Sequence, residues 1–170
     1  MEKKLIMDDL AIQRSLKRIT HEIIEHNKGI DDIILVGIRS RGVYLARRLA
    51  ALIKSFEHAE IPVYALFVSF WRDDHMRTQN RSEAIPVQER KVILVDDVLF
   101  KGRTIRAAMD AITSFGRARE IQLAVLIDRG HRELPIRADY IGKNIPSALH
   151  EQIMVRVEEL DHENAVYITS

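Results

Sequence analysis

Cysteine is absent from all 170 residues. That excludes disulfides, thiolate metal sites and a cysteine nucleophile together. Long apolar runs are also missing, and Met1-Glu2-Lys3-Lys4-Leu5 leads into no hydrophobic segment of the kind that begins a signal peptide. A cytoplasmic protein with no membrane partner is the expectation. Charge of one sign is lacking too, since 26 Lys and Arg against 25 Asp and Glu leave a net +1. That total neither demands nor forbids an anionic partner, because balanced sums hide local asymmetry. The remaining composition is ordinary for a globular protein, with 46% hydrophobic and 30% charged residues and no repeat or low-complexity tract. The length suits one compact core, so residues 1–170 are read as a single domain.

Asp8 or Asp9 can cap a helix running to about Asn27, with Gly29 as its stop. Ile12, Leu16, Ile19 and Ile23 then share an apolar face, and Arg14, Lys17, Arg18 and His21 fall on the opposite one. Ile33 to Val36 reads as a buried strand that ends in Gly37-Ile38-Arg39-Ser40-Arg41-Gly42, with a helix from about Val43 to Lys54. A second strand is expected from about Val63 to Phe70, after which the pattern dissolves into the polar stretch Trp71 to Glu83. Strands follow at Lys91 to Val95 and Ile121 to Ile127, with a helix from Arg103 to about Phe115 between them. Short apolar runs at Tyr140-Ile141, Ile153 to Val157 and Ala165 to Ile168 end the chain. Strands alternating with helices predict an α/β fold around a parallel sheet. Ligands of such sheets sit beyond the carboxyl ends of the strands, where the turns 37–42 and 96–104 lie.

The turn from Asp96 to Thr104 carries the clearest chemistry. Four apolar residues, Val92 to Val95, lead into two adjacent carboxylates, a glycine at 102 and a helix start near Thr104. A helix N-terminus presents free N–H groups and the positive end of a dipole, which suit a phosphate. Carboxylates would oppose a phosphate but accept hydrogen bonds well from ribose hydroxyls. One loop can therefore grip both halves of a ribose 5-phosphate. Alternatively, Asp96 and Asp97 only cap a helix after a buried strand.

The string Val92 to Thr104 resembles the phosphoribosyl pyrophosphate motif of the type I phosphoribosyltransferases. Ile38 to Gly42, Trp71-Arg72-Asp73-Asp74, Val92 to Arg106 and Asp128 to Pro146 resemble, more narrowly, the pyrimidine operon attenuation family, PyrR. The similarity covers nearly the whole chain. It implies a type I phosphoribosyltransferase fold, with a parallel central sheet flanked by helices and a short flexible hood. It also implies an enzyme, a uracil phosphoribosyltransferase, coupled to nucleotide-dependent binding of pyrimidine operon leader mRNA.

By that resemblance Asp96 and Asp97 hold the ribose hydroxyls, and Val98, Leu99, Phe100, Lys101, Gly102, Arg103 and Thr104 hold the 5-phosphate. Arg39, Ser40 and Arg41 form the pyrophosphate loop. Arg72, at the start of the hood, joins Asp96, Asp97 and Arg39 in the expected catalytic set. Asp128 helps position Mg2+, directly or through water, while Arg129 and the backbone near Ile153 frame the uracil. The RNA surface comprises Arg14, Lys17, Arg18, His21 and His26. Uracil, phosphoribosyl pyrophosphate and UMP or UTP are the implied small partners, and a homodimer or higher homo-oligomer the implied assembly. Read without the resemblance, Arg39 and Arg41 are ordinary surface cations, Asp128-Arg129 is a surface ion pair, and Ile153 is core.

Three departures from the family pattern stand out. Lys101 replaces an expected threonine, the segment His75 to Arg90 is short for a hood, and Lys17 and His26 replace an expected threonine and arginine. The first two fall on the catalytic apparatus, so weakened turnover is expected, with RNA regulation the better preserved role. Two alternatives stay open: a regulator that has lost catalysis, and a phosphoribosyltransferase for another base without RNA binding.

Overall fold

The structure is a computed structural model that describes residues 2–71, 75–78 and 84–170. Its centre is a five-stranded, wholly parallel sheet in the order β3-β2-β6-β7-β8, where β2 is Ile33–Ile38, β3 Val63–Leu66, β6 Lys91–Leu99, β7 Glu120–Asp128 and β8 Tyr140–Asn144. The central strands are buried on both faces, which is why they read as continuous apolar runs rather than alternating ones. Successive residues part to opposite sides. Ile33, Leu35, Ile93 and Val95 join the core beneath α1 (Asp9–His26) and α2 (Arg41–Glu57). Ile34, Val36, Val92 and Leu94 join the core beneath α3 (Arg103–Phe115).

The N-terminal helix starts where expected. The Asp8 carboxylate accepts the Ala11 N–H at 2.8 Å and so satisfies one of the first-turn donors. Its apolar stripe, Ile12, Leu16, Ile19 and Ile23, is almost fully buried.

Three features differ from the sequence reading. First, the strand expected over Val63 to Phe70 breaks at Phe67 into β3 and a separate strand, β4 (Val68–Trp71). Second, β4 pairs antiparallel with β5 (His75–Thr78), so part of the polar stretch is a hairpin. Its second strand has Met76 as its only apolar residue, too little for a reading based on periodicity. Third, the short apolar tail runs become an antiparallel sheet, β1 (Lys3–Met7), β10 (Ala165–Thr169) and β9 (Gln152–Arg156), in that order. The first and last strands of the chain thus lie side by side, with Lys3 opposite Thr169. A four-residue helix, α4 (Glu158–Asp161), joins β9 to β10.

Candidate functional site

Glycines let α2 press its first turn against the sheet. A Cβ on Gly42 would lie 2.4 Å from the Val95 carbonyl oxygen, and one on Gly37 would lie 2.4 Å from the Val43 Cα. Backbone cannot yield at that distance, so only glycine fits at either place. The result brings the β2–α2 turn beside the carboxyl end of β6, where the acidic pair stands.

The pair itself sits differently from the sequence expectation. β6 does not leave the sheet at Val95 but stays paired with β7 through Leu99. Asp96 and Asp97 are therefore strand residues, and the reading of them as helix caps fails. Each carboxylate fixes the next amide: Asp96 Oδ1 accepts from Asp97 N and Asp97 Oδ1 accepts from Val98 N, both at 2.8 Å. Asp96 is buried, whereas Asp97 is only partly covered. Burial, reinforced by the neighbouring Asp97 carboxylate, pushes the Asp96 carboxyl well above the usual carboxylate range. Asp97 is the member that faces a cleft of about 270 Å³, which it shares with Arg41 and with Ile153, Met154, Val155 and Arg156 of β9.

Beyond Leu99 the chain turns through Phe100, Lys101 and Gly102 into α3, and residues 98–105 enclose a hollow of about 230 Å³. Gly102 has a φ of +96°, in the left-handed region that favours glycine. Helical geometry leaves the first four N–H groups of α3 without intrahelical partners, which is the property an anion needs.

Several expected ligand side chains are committed elsewhere. Arg41 reaches Asp161 of α4 with two hydrogen bonds, at 3.1 and 2.7 Å. That bond holds the Asp161 carboxyl below the usual range and lifts the Arg41 guanidinium. Arg41 therefore brings its backbone to the β2–α2 turn but not a free cation. Lys101 and Arg103 share one carboxylate: the Lys101 Nζ lies 4.0 Å from Glu133 Oε2, and Arg103 Nε lies 3.0 Å from Glu133 Oε1. Arg129 is buried rather than part of a surface ion pair, and its side chain is bonded to Ser147 and to the carbonyls of Ala148 and Glu151. Arg39 and Ser40 are exposed at the mouth. Arg72 lies outside the described residues.

Asp128 stands at the end of β7 opposite Leu99, and its Oδ1 accepts the Gly130 N–H at 2.9 Å. Among the described residues no three acidic or histidine side chains gather into a metal cage. One or two carboxylates at a phosphate site nevertheless fit Mg2+, which keeps water and takes oxygens from a bound phosphate compound. Asp128, one strand over from the acidic pair, is a carboxylate of the kind such a site uses.

The outer face of α1 is of another kind. Arg14 and Lys17 are exposed. Arg18 is not a free cation, because its guanidinium donates to the Ile141 carbonyl at 3.0 Å, to Gly142 O and to Glu22. His21 stacks on Phe56 with centroids 4.4 Å apart, and His26 meets the Tyr140 ring edge-on at 6.0 Å. Beneath them, Asn27, Gln122 and Tyr140 form a buried polar network. Burial pushes the Tyr140 hydroxyl up to about 12. That network, Asp161 and Ser147 were all missed by the sequence reading, since each partner lies far away along the chain.

Comparisons with known proteins agree with this geometry. The phosphoribosyl transferase domain model matches residues 5–162. The chain is 52% identical to the bifunctional protein PyrR of Ligilactobacillus salivarius, over 96% of either chain. It is 53% identical to that of Clostridium novyi, over 98% of this chain and 97% of the relative. Among solved structures, hypoxanthine phosphoribosyltransferase from Trypanosoma cruzi superposes with a TM-score of 0.81 over 98% of this chain and 95% of its own, at 16% identity. A purine phosphoribosyltransferase from Pyrococcus horikoshii gives 0.68 over 83% and 87%, at 20% identity. These two likenesses speak for the fold. No helix among the described residues is long and apolar enough to cross a membrane. With a family model over most of its length and full-length relatives above half identity, the chain belongs to the phosphoribosyltransferases and, within them, to the bifunctional PyrR proteins.

Proposed function

We propose that the chain transfers the 5-phosphoribosyl group of phosphoribosyl pyrophosphate to uracil, and that occupancy of the same site by UMP or UTP governs binding of pyrimidine operon leader RNA. The observation that carries the enzymatic half is that Asp97 lines a cleft with the β9 backbone near Ile153, while a second hollow, at 98–105, begins at the very next residue. In the reaction the C1–O bond to pyrophosphate breaks, N1 of uracil bonds to C1, and the N1 proton passes to solvent. The protein positions these groups and need not form a covalent intermediate.

Asp97 accepts from the ribose hydroxyls, while Asp96 stiffens the strand beneath it. The amides of 100–104 hold the 5-phosphate, and Val98 and Leu99 fix their place. Arg39 and the backbone of Ser40 and Arg41 meet the departing pyrophosphate. Mg2+ held by Asp128, Asp97 and substrate oxygens would neutralise charge on that leaving group. Ile153 bounds the base. Lys101 does not restore what a hydroxyl would supply. A lost bond to a charged phosphate costs about 1.5–3 kcal/mol, whereas an exposed pair such as Lys101–Glu133 contributes about 0–1 kcal/mol. Reduced turnover follows.

RNA meets the outer face of α1, where Arg14, Lys17 and His26 are the available contacts. Arg18 contributes there only by leaving the β8 carbonyls. The whole chain, 1–170, acts as one cytoplasmic domain, assembled as a homodimer or larger homo-oligomer.

Uracil-dependent release of pyrophosphate, with phosphoribosyl pyrophosphate and Mg2+, tests the enzymatic half. Its complete absence from active-site-titrated protein would leave only the regulator. A filter-binding titration of leader RNA with and without UMP tests the other half, and identical curves would remove the nucleotide link.

A further inference from the structure

Two cations line the hollow at 98–105, Lys101 and Arg103, and the first stands where the family pattern has threonine. Their side chains are 46% and 51% exposed, and they share one acid. Glu133 Oε2 lies 4.0 Å from Lys101 Nζ, and its Oε1 lies 3.0 Å from Arg103 Nε. Glu133 is also tied to the turn through its backbone, since its N–H donates to the Lys101 carbonyl at 2.9 Å. Beside it, Leu134 and Ile136 lie over Gly102, where a Cβ would meet their side chains at 3.6 and 3.7 Å. The first turn of α3 holds no acidic residue. The rim therefore carries one positive charge more than Glu133 cancels.

The amides of 100–104 suffice for one phosphate and leave both of these side chains unused. The hollow, about 230 Å³, is several times the ~30 Å³ share of one water molecule, so it has room for more than one phosphoryl group. We infer that Lys101 and Arg103 form an outer subsite for the β- and γ-phosphates of UTP, which raises the affinity of this chain for the triphosphate relative to UMP. The inference rests on the uridylate reading of the cleft and says which nucleotide the site favours as a signal. A hydroxyl at 101 reaches only the nearest phosphate. An ammonium on a four-carbon stem reaches past it, and the guanidinium two residues on adds a planar fork for a second set of oxygens. Glu133 is the resident anion, which holds the two cations in the free protein and yields them to the phosphate tail. Because its carboxylate stays close by, it also opposes that tail and keeps the preference moderate.

The test is titration calorimetry with UMP, UDP and UTP, without Mg2+, on the full-length protein and its variants Lys101→Met, Arg103→Met, the double variant and Glu133→Gln. Each cation variant should lower the UTP-to-UMP affinity ratio about 3-fold, in keeping with a half-exposed charge contact, and the double variant about 10-fold. UDP should fall between the two nucleotides. Glu133→Gln should raise the ratio about 3-fold, a gain that damaged folding cannot produce. Ratios equal to wild type in all four variants would make the cluster an ordinary surface ion pair and overturn the subsite. A loss of UMP affinity as large as that of UTP would mean that the two cations serve the 5-phosphate itself, which overturns it as well. So would a loss of leader RNA binding with the ratio intact, because the cations would then belong to RNA. If the wild-type protein binds none of the three nucleotides, the uridylate reading fails and takes the subsite with it, whereas an unaltered ratio beside intact UMP binding removes the subsite alone.

Discussion

At the cleft, a methyl group on Gly42 would collide with the Val95 carbonyl at 2.4 Å, and Asp96 has almost no access to water. On the outer face of the neighbouring helix, Arg14 and Lys17 stand exposed on α1. The two regions tolerate change to very different degrees. In the first, position is set by backbone against backbone and each side chain has one place to go. In the second, position is set by a helix whose inner stripe is buried and whose outer residues are exchangeable as long as charge survives. A catalytic site needs the first kind of construction, because a small displacement is costly there. A surface for a polyanion manages with the second.

The contrast breaks most sharply at Asp97. Asp97→Asn removes a charged acceptor from the ribose and should weaken UMP binding by about 10- to 100-fold, the worth of a bond to a charged group. Titration calorimetry would register it, and an unchanged affinity would withdraw the ribose assignment. Gly42→Ala comes next. Overpacking against backbone should cost about 1–3 kcal/mol of stability, read in thermal melts, and displace the β2–α2 turn enough to weaken UMP binding as well. A melt and a UMP affinity like wild type would show that α2 is less tightly seated than its glycines imply.

Asp96→Asn should be gentler, since asparagine resembles the protonated acid that burial favours. Here the sign matters. The folded-state carboxyl is raised above its unfolded value, so its contribution to stability is complete below the ordinary carboxylate pKa of about 4. That contribution fades as pH rises toward the raised folded value. The variant should therefore flatten the loss of stability across that window, and equal slopes in the two proteins would argue against the burial effect.

On α1 the expected changes are smaller. Lys17→Ala or Arg14→Ala should weaken leader RNA roughly alike for all sequences and lower the salt slope by about one each. Arg18→Ala should also lower the Tm, because its guanidinium holds β8 carbonyls, and a silent melt would return it to the ordinary surface cations. The smallest effect belongs to Lys101→Thr, which should move stability by less than about 1 kcal/mol while raising turnover. A loss of phosphoribosyl pyrophosphate affinity instead would show that the lysine serves the phosphate after all.

What the sequence disclosed follows the same division. Val92 to Val95, the cap at Asp8 and the stripe from Ile12 to Ile23 are local patterns, and each was legible. The turn at Gly102 into α3 was legible as well, from a glycine and a helical pattern that follow a buried strand. The pairing of Arg41 with Asp161 was not, because 120 positions separate the two. Arg129 with Ser147 and Asn27 with Gln122 escaped for the same reason, as did the antiparallel sheet, whose strands are short and come from opposite ends of the chain. Residue type told where a cation was, but not what it already held.

That last sheet has a consequence of its own. Lys3 and Thr169 are antiparallel neighbours, and such pairs lie only about 5 Å apart. Topologically the polypeptide is nearly a ring. A linker of a few residues would close it, and new ends could then be opened at the exposed turn around Arg117, at the amino ends of the parallel strands and so at the opposite end from the cleft. The order in which the strands are synthesised would change while every neighbour stayed the same.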